Sequence, residues 1–121
     1  ALKKLEESVQ PDRVILEAPG VARPGDIVPT VRRYAPMVDE IQVLSLVDAP
    51  RYDMLLEVMN PLVTAQIGAA DIVAVNKIDE MDEAGIDRIR RSVSDLNEKT
   101  RVVAISAEQQ INLEDLMGAL R

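Results

Sequence analysis

Ile72-Val73-Ala74-Val75, followed at once by Asn76-Lys77-Ile78-Asp79, decides how this chain folds. Four apolar residues in a row, without period-two alternation, describe a strand buried on both faces, as in a parallel sheet covered by helices. Polar residues begin where the apolar run ends. Asp82 then reads as an N-cap, and Ile86, Ile89, Val93 and Leu96 follow at helical spacing, predicting a long amphipathic helix. The same strand-then-helix unit recurs on either side. Downstream, Arg101 to Ile105 gives a strand ending on Ser106-Ala107, and Asn112 is placed to cap a last helix carrying Leu113, Leu116, Met117 and Leu120.

Upstream, Ile41 to Val47 predicts a strand ending at Asp48. A helix from about Tyr52 should turn Met54, Leu55, Val58 and Met59 inward. Asn60-Pro61 interrupts it, with Asn60 as N-cap and Pro61 at the first position of a second helix running to Ala70. Earlier still, Val14-Ile15-Leu16 closes on Glu17 as a further strand. After the loop from Ala18 to Gly25, Asp26 is placed to cap a helix to Tyr34 through Ile27, Val28 and Val31. Leu2, Leu5 and Val9 share a face of a first helix that Pro11 ends. The fold expected is therefore α/β: a parallel sheet of about four strands with helices on both faces, in one domain over residues 1–121.

Composition narrows the functions open to such a domain. Of 121 residues, 47% are hydrophobic and 29% charged, which suits a packed, folded chain. There are two Tyr and no Phe or Trp, so the core is aliphatic and no aromatic platform exists for single-stranded nucleic acid. With 21 acidic against 14 basic residues, the charge argues against nucleic acid or an anionic membrane as partner. Absence of Cys excludes disulfides and thiolate metal sites, and absence of His leaves carboxylates, which favour hard ions. The start, Ala1-Leu2-Lys3-Lys4-Leu5-Glu6-Glu7, reads as amphipathic helix and not as a signal peptide, so a cytoplasmic location is expected. A chain that begins with Ala in mid-helix also reads as a fragment or a processed product.

In parallel α/β sheets, ligands gather at the carboxyl ends of the strands. Polar residues cluster at those ends: Glu17, Asp48, Asn76 with Lys77 and Asp79, and Ser106. A carboxylate at Asp79 can accept from both N1–H and the exocyclic amine of guanine. Adenine offers neither donor there, and the unpaired carboxylate costs about 1–3 kcal/mol. Asn76 can meet the other edge of the base and tie neighbouring loops together, while the aliphatic stem of Lys77 can lie over the purine face. The alternative is a plain strand-to-helix turn. Ser106-Ala107, about 30 residues on, places a small residue where a backbone N–H can approach guanine O6, although Ser-Ala is a common pair. Glu17 with Pro19 and Gly20 suits a carboxylate binding a Mg²⁺-bound water, with a Gly amide near a terminal phosphate. It also suits an ordinary turn. Asp48, before Ala49-Pro50, reads as structural, with a switch or interface role as the alternative.

The order Glu-x-x-Gly, Val-Asp-Ala, Gln-Ile-x-x-Ala-Asp-Ile-Val-x-x-Asn-Lys-x-Asp and Ser-Ala resembles the CobW/HypB/UreG family of P-loop GTPases. These stretches are Glu17–Gly20, Val47–Ala49, Gln66–Asp79 and Ser106–Ala107. Pro11-Asp12-Arg13-Val14-Ile15-Leu16-Glu17, with Gly20-Val21-Ala22-Arg23-Pro24 after it, looks most like the CobW branch. The resemblance implies Asn76, Lys77 and Asp79 for guanine, Ser106 and Ala107 for its O6, and Glu17 with Gly20 for Mg²⁺ and γ-phosphate sensing. It also implies GTP/GDP as ligand and a part in delivering a metal or cofactor to a client metalloenzyme, gated by GTP hydrolysis. Ala18 and Pro19 depart from the small hydroxyl residues usual in that loop of the CobW branch, and Pro removes a donor.

No Gly-x-x-x-x-Gly-Lys-Ser/Thr occurs in the sequence. In the family that phosphate loop lies upstream of the region matching Ala1, on a strand between the Glu17-type and Val47-type strands. Micromolar affinity needs about 8.2 kcal/mol. Charged hydrogen bonds to the base supply about 1.5–3 kcal/mol each, and association costs at least about 4 kcal/mol. Base contacts alone should therefore reach about millimolar affinity, and hydrolysis would lack electrostatic support. The expectation is a guanine-specificity portion that needs a missing phosphate-loop segment, a second polypeptide or a homodimer. The rival expectation is a non-catalytic, degenerate GTPase-like interaction or scaffold module.

Overall fold

Parallel ladders join three strands in the computed structural model, which describes all of residues 1–121. The chain divides into two compact units, Ala1–Ile41 and Gln42–Arg121. The second holds the sheet: β1 (Leu44–Asp48), β2 (Ile72–Asn76) and β3 (Arg101–Ala104), in the order β1-β2-β3. Leu44 pairs with Ile72 and Asp48 with Asn76 on one side, and Ile72 pairs with Arg101 on the other. β2 is thus central, which is why its four apolar residues are all buried.

Helices cover both faces of this sheet. Val73 and Val75 point to one side, where Tyr52 of α3 (Tyr52–Val58), Ile67 of α4 (Asn60–Gly68) and Ile89 and Val93 of α5 (Glu83–Leu96) close over them. Ile72 and Ala74 point to the other, against Val103, Ile105 and the Leu116 and Ala119 side chains of α6 (Leu113–Ala119). Asp82 caps α5 as its sequence suggests, accepting from Gly85 N at 2.8 Å. The core is aliphatic but for Tyr52, whose hydroxyl lies 2.6 Å from Ser92 Oγ on α5. Asn97, just past α5, donates through Nδ2 to the carbonyls of Ile67, Gly68 and Ala70. A helix end leaves such carbonyls without partners, so this one carboxamide finishes α4.

Several expectations need correction. The sheet has three strands, not about four, because Val14-Ile15-Leu16 joins no ladder. A strand exists only with a partner, and without one these side chains stay exposed, Ile15 by 89%. β1 starts at Leu44 rather than Ile41, with Val43 spent on Asp71. On α3 the inward face runs through Tyr52, Leu55 and Leu56, so Met54 and Val58 face solvent. The aromatic ring wins the inward position because it buries more apolar area than Met or Val. Met117 faces outward for the same geometric reason, one position past buried Leu116. Asn60 is the first residue of α4, not its cap, which is Met59. Asn112 precedes α6 in a left-handed conformation, but its side chain donates to Ala104 O instead of capping.

The first unit carries α1 (Leu2–Val9), closed by Gln10 in a left-handed conformation ahead of Pro11, and α2 (Pro24–Tyr34). α2 begins at Pro24 with Arg23 as N-cap, so Asp26 sits within the first turn. Proline at the first helical position is already set at the helical φ, which draws the start two residues upstream of the acidic side chain.

Asn97→Ala should destabilise the second unit by about 1–3 kcal/mol, since it strands the Gly68 and Ala70 carbonyls, while Ile67 O keeps the Ala70 amide. A urea titration with an unshifted midpoint would show that water serves these groups equally well. Burial pushes the Tyr52 phenol above its ordinary value of 10.0. The folded state then holds this proton more tightly than the unfolded state, so the contribution to stability is present below about pH 10 and lost as pH rises through the folded value. In Tyr34→Phe, where Tyr52 is the one tyrosine left, an ultraviolet titration should show ionisation above that of free tyrosine. Ionisation at the free value would contradict its burial.

Candidate functional site

β2 ends on Asn76, and the chain turns there through a left-handed residue. Lys77 has φ 67° and ψ 34°, a conformation that is uncommon for a residue with a side chain. It leads into a single 3₁₀ turn, Ile78–Glu80. Asn76 stabilises the turn by accepting the Lys77 amide at its own Oδ1, 2.8 Å away. The same oxygen accepts the Ala107 amide at 3.0 Å. Ile78 N donates to Ile105 O at 3.2 Å, so two bonds join the loop after β2 to the loop after β3. This is the tie between loops that the residue types suggested for Asn76.

Asp79 lies in the 3₁₀ turn with its side chain exposed. No protein group bonds its carboxylate, which is therefore open to a ligand donor pair. Ser106 is fully buried. Its Oγ accepts from Gln109 N at 3.1 Å, and its backbone bridges Ile111 in both directions. The serine thus builds the loop, and exposed Ala107 forms its outer surface. Since the Ala107 N–H already has Asn76 as acceptor, a base oxygen arriving there would share that donor.

The third strand end contributes as well. Asp48 closes β1 in register with Asn76. Its Oδ2 lies 3.0 Å from Lys77 Nζ and 4.0 Å from Arg51 Nε, while its Oδ1 is buried without a hydrogen-bond partner. The sequence alone does not reveal this arrangement. The signal was available in the pairing of two neighbouring strands that end on Asp48 and Asn76-Lys77, but it emerges only once their register is known.

Asn76, Lys77, Asp79, Ser106 and Ala107 therefore come together on one rim, with Asp48 beside them. Glu17 and Gly20 belong to the first unit. Glu17 is exposed, and Gly20 sits in a turn closed by Ala22 N donating to Pro19 O at 2.8 Å. A Cβ at Gly20 would meet nothing within 4 Å, and no glycine has positive φ. Packing does not demand glycine at this position. No helix is long and apolar enough to cross a membrane.

A model of the nucleotide-binding domain of the CobW/HypB/UreG family matches residues 1–104. Comparisons with curated proteins and with solved structures return no match. The matched region includes Glu17, Gly20, Asn76, Lys77 and Asp79 and stops short of Ser106 and Ala107, which geometry alone adds to the rim. The match spans both units and ends on the last residue of β3. The chain belongs to the CobW/HypB/UreG family, through that family's nucleotide-binding domain.

Proposed function

We propose that this chain supplies the base-recognition portion of a GTP/GDP-binding domain of CobW type, one that serves delivery of a metal ion or cofactor to a client metalloenzyme. The observation that carries the reading is the Asn76 oxygen, which binds the loops after β2 and β3 into one surface and leaves the Asp79 carboxylate exposed beside it. Asp79 has two acceptor oxygens for the N1–H and amine of guanine. The half-exposed Lys77 stem supplies apolar cover for a purine face.

The remaining parts follow from charge. No three His, Cys, Asp or Glu side chains gather to hold a metal ion. Mg²⁺ in this reading arrives with the nucleotide phosphates and most of its waters, with Glu17 bonding one of those waters, a mode that suits a cation that dehydrates reluctantly. The β- and γ-phosphates need backbone amides and a lysine from a phosphate-loop segment or a second polypeptide, a homodimer partner included. The free edge of β1, where Leu46 is 67% exposed, offers a ladder and apolar cover for an added strand.

Calorimetric titration with GDP, then ADP, in the presence of Mg²⁺ tests this. The chain alone should bind GDP at about millimolar affinity and ADP not measurably. Adding a phosphate-loop segment should raise GDP affinity by orders of magnitude. Asp79→Ala should erase the preference for guanine. Equal binding of both nucleotides would sink the guanine assignment, and binding of neither, with or without the added segment, would favour the scaffold role. A second check concerns the rim itself. Asn76→Ala should speed hydrogen exchange at the Ala107 and Lys77 amides while leaving the β2 amides protected. Unchanged exchange at Ala107 would remove Asn76 as the organiser of this surface.

A further inference from the structure

The carboxylate of Asp48 has no structural task that accounts for it. It stands at the N-cap of the 3₁₀ turn Ala49–Arg51 but makes no capping bond, and Pro50 in that turn has no N–H to offer. One oxygen, Oδ1, is buried and unpartnered. Such a group costs free energy relative to a neutral, well-packed replacement. Its other oxygen meets the Lys77 ammonium at 3.0 Å, across a gap between two strand ends, with Arg51 a distant second at 4.0 Å and 69% exposed. With its lysine half-exposed, the pair adds little to stability. A residue that weakens the fold locally and stabilises it little in return is the pattern expected of a site residue.

What Asp48 does accomplish is to fix Lys77. The lysine backbone is already held at both ends, its amide by Asn76 Oδ1 at 2.8 Å and its carbonyl by Glu80 N at 3.0 Å. These bonds define φ and ψ but leave the four-carbon stem free. The Asp48 contact fixes the far end of that stem. We propose that Asp48 is a positioning residue for the base site: it anchors the Lys77 ammonium over β1, so that the stem is laid out as an ordered apolar surface before a guanine base arrives. This rests on the guanine-nucleotide reading given above. Its physical content is preorganisation, since a rotamer-rich side chain ordered in advance need not be ordered by the ligand. Asp48 touches no base atom in this account and acts through Lys77 alone.

The test is a double-mutant cycle read by GDP titration, with urea unfolding run on every variant. Asp48→Asn keeps the shape and removes the charge. It should weaken GDP binding by about fivefold, the range of an exposed ion pair, and leave the urea midpoint unchanged or higher. In a Lys77→Met background, Asp48→Asn should have no further effect on GDP affinity. The fivefold difference should also shrink as salt rises. An Asp48→Asn protein that binds GDP like the parent overturns the proposal while the guanine reading stands. So does an affinity loss that persists in the Lys77→Met background, or one that tracks a fall in stability, because either would mark a structural role. A parent protein that binds no GDP even at millimolar concentration refutes the guanine reading first and this proposal with it.

Discussion

Two backbone amides, from Lys77 and Ala107, converge on the Oδ1 of Asn76 at 2.8 and 3.0 Å. A carboxamide oxygen has two lone pairs, and here both are used. One keeps the chain in its left-handed turn as it leaves β2, and the other reaches the loop after β3. An aspartate would add a charge to the rim, and a glutamine would hold its oxygen one methylene further out. This one bridge holds Ala107 beside the turn that carries the exposed Asp79.

The bridge in turn depends on the sheet beneath it. Parallel register sets Asp48 opposite Asn76 and carries β3 up to Ile105, whose carbonyl takes the Ile78 amide at 3.2 Å. β2 is held rigidly because both of its faces are covered, by Tyr52, Ile89 and Val93 on one side and Leu116 and Ala119 on the other. Left-handed conformations at Lys77, Gln110 and Asn112 are tolerated because the neighbouring hydrogen bonds over-determine them. In the second unit such backbone lies in the loops after β2 and β3 and is absent from the strands; the remaining case, Gln10, closes α1.

The sequence made β2, α5 and the residues of the rim legible, because their signals are local. A continuous apolar run, an aspartate three residues ahead of an amide it can cap, and Asn-Lys-x-Asp at a strand end each describe themselves. What stayed hidden was set by partners elsewhere in the chain. Val14-Ile15-Leu16 has the composition of a strand, but composition cannot provide a neighbour to pair with. Tyr52 was not foreseen as the inward residue of α3, since its partner Ser92 lies forty residues on. Asn97 carries no local signal, because its three carbonyl acceptors lie on and after α4. The contact of Asp48 with Lys77 stayed hidden for the same reason, its lysine being nearly thirty residues downstream.

The strand order has a consequence for how the second unit assembles. Leu44 finds Ile72, and Ile72 finds Arg101, so the two closures span about 28 and 29 residues and neither must wait for a distant segment. Because closure entropy grows only with the logarithm of loop length, the two steps oppose folding almost equally, with α3 and α4 shortening the first loop and α5 the second. Such a sheet grows by accretion onto β2 rather than by a long-range search, which places it toward the fast end for parallel topologies. During synthesis, the ladder between β1 and β2 closes when β2 follows β1 from the ribosome. The rim, which needs the loops after both β2 and β3, is then among the last features of the unit to form.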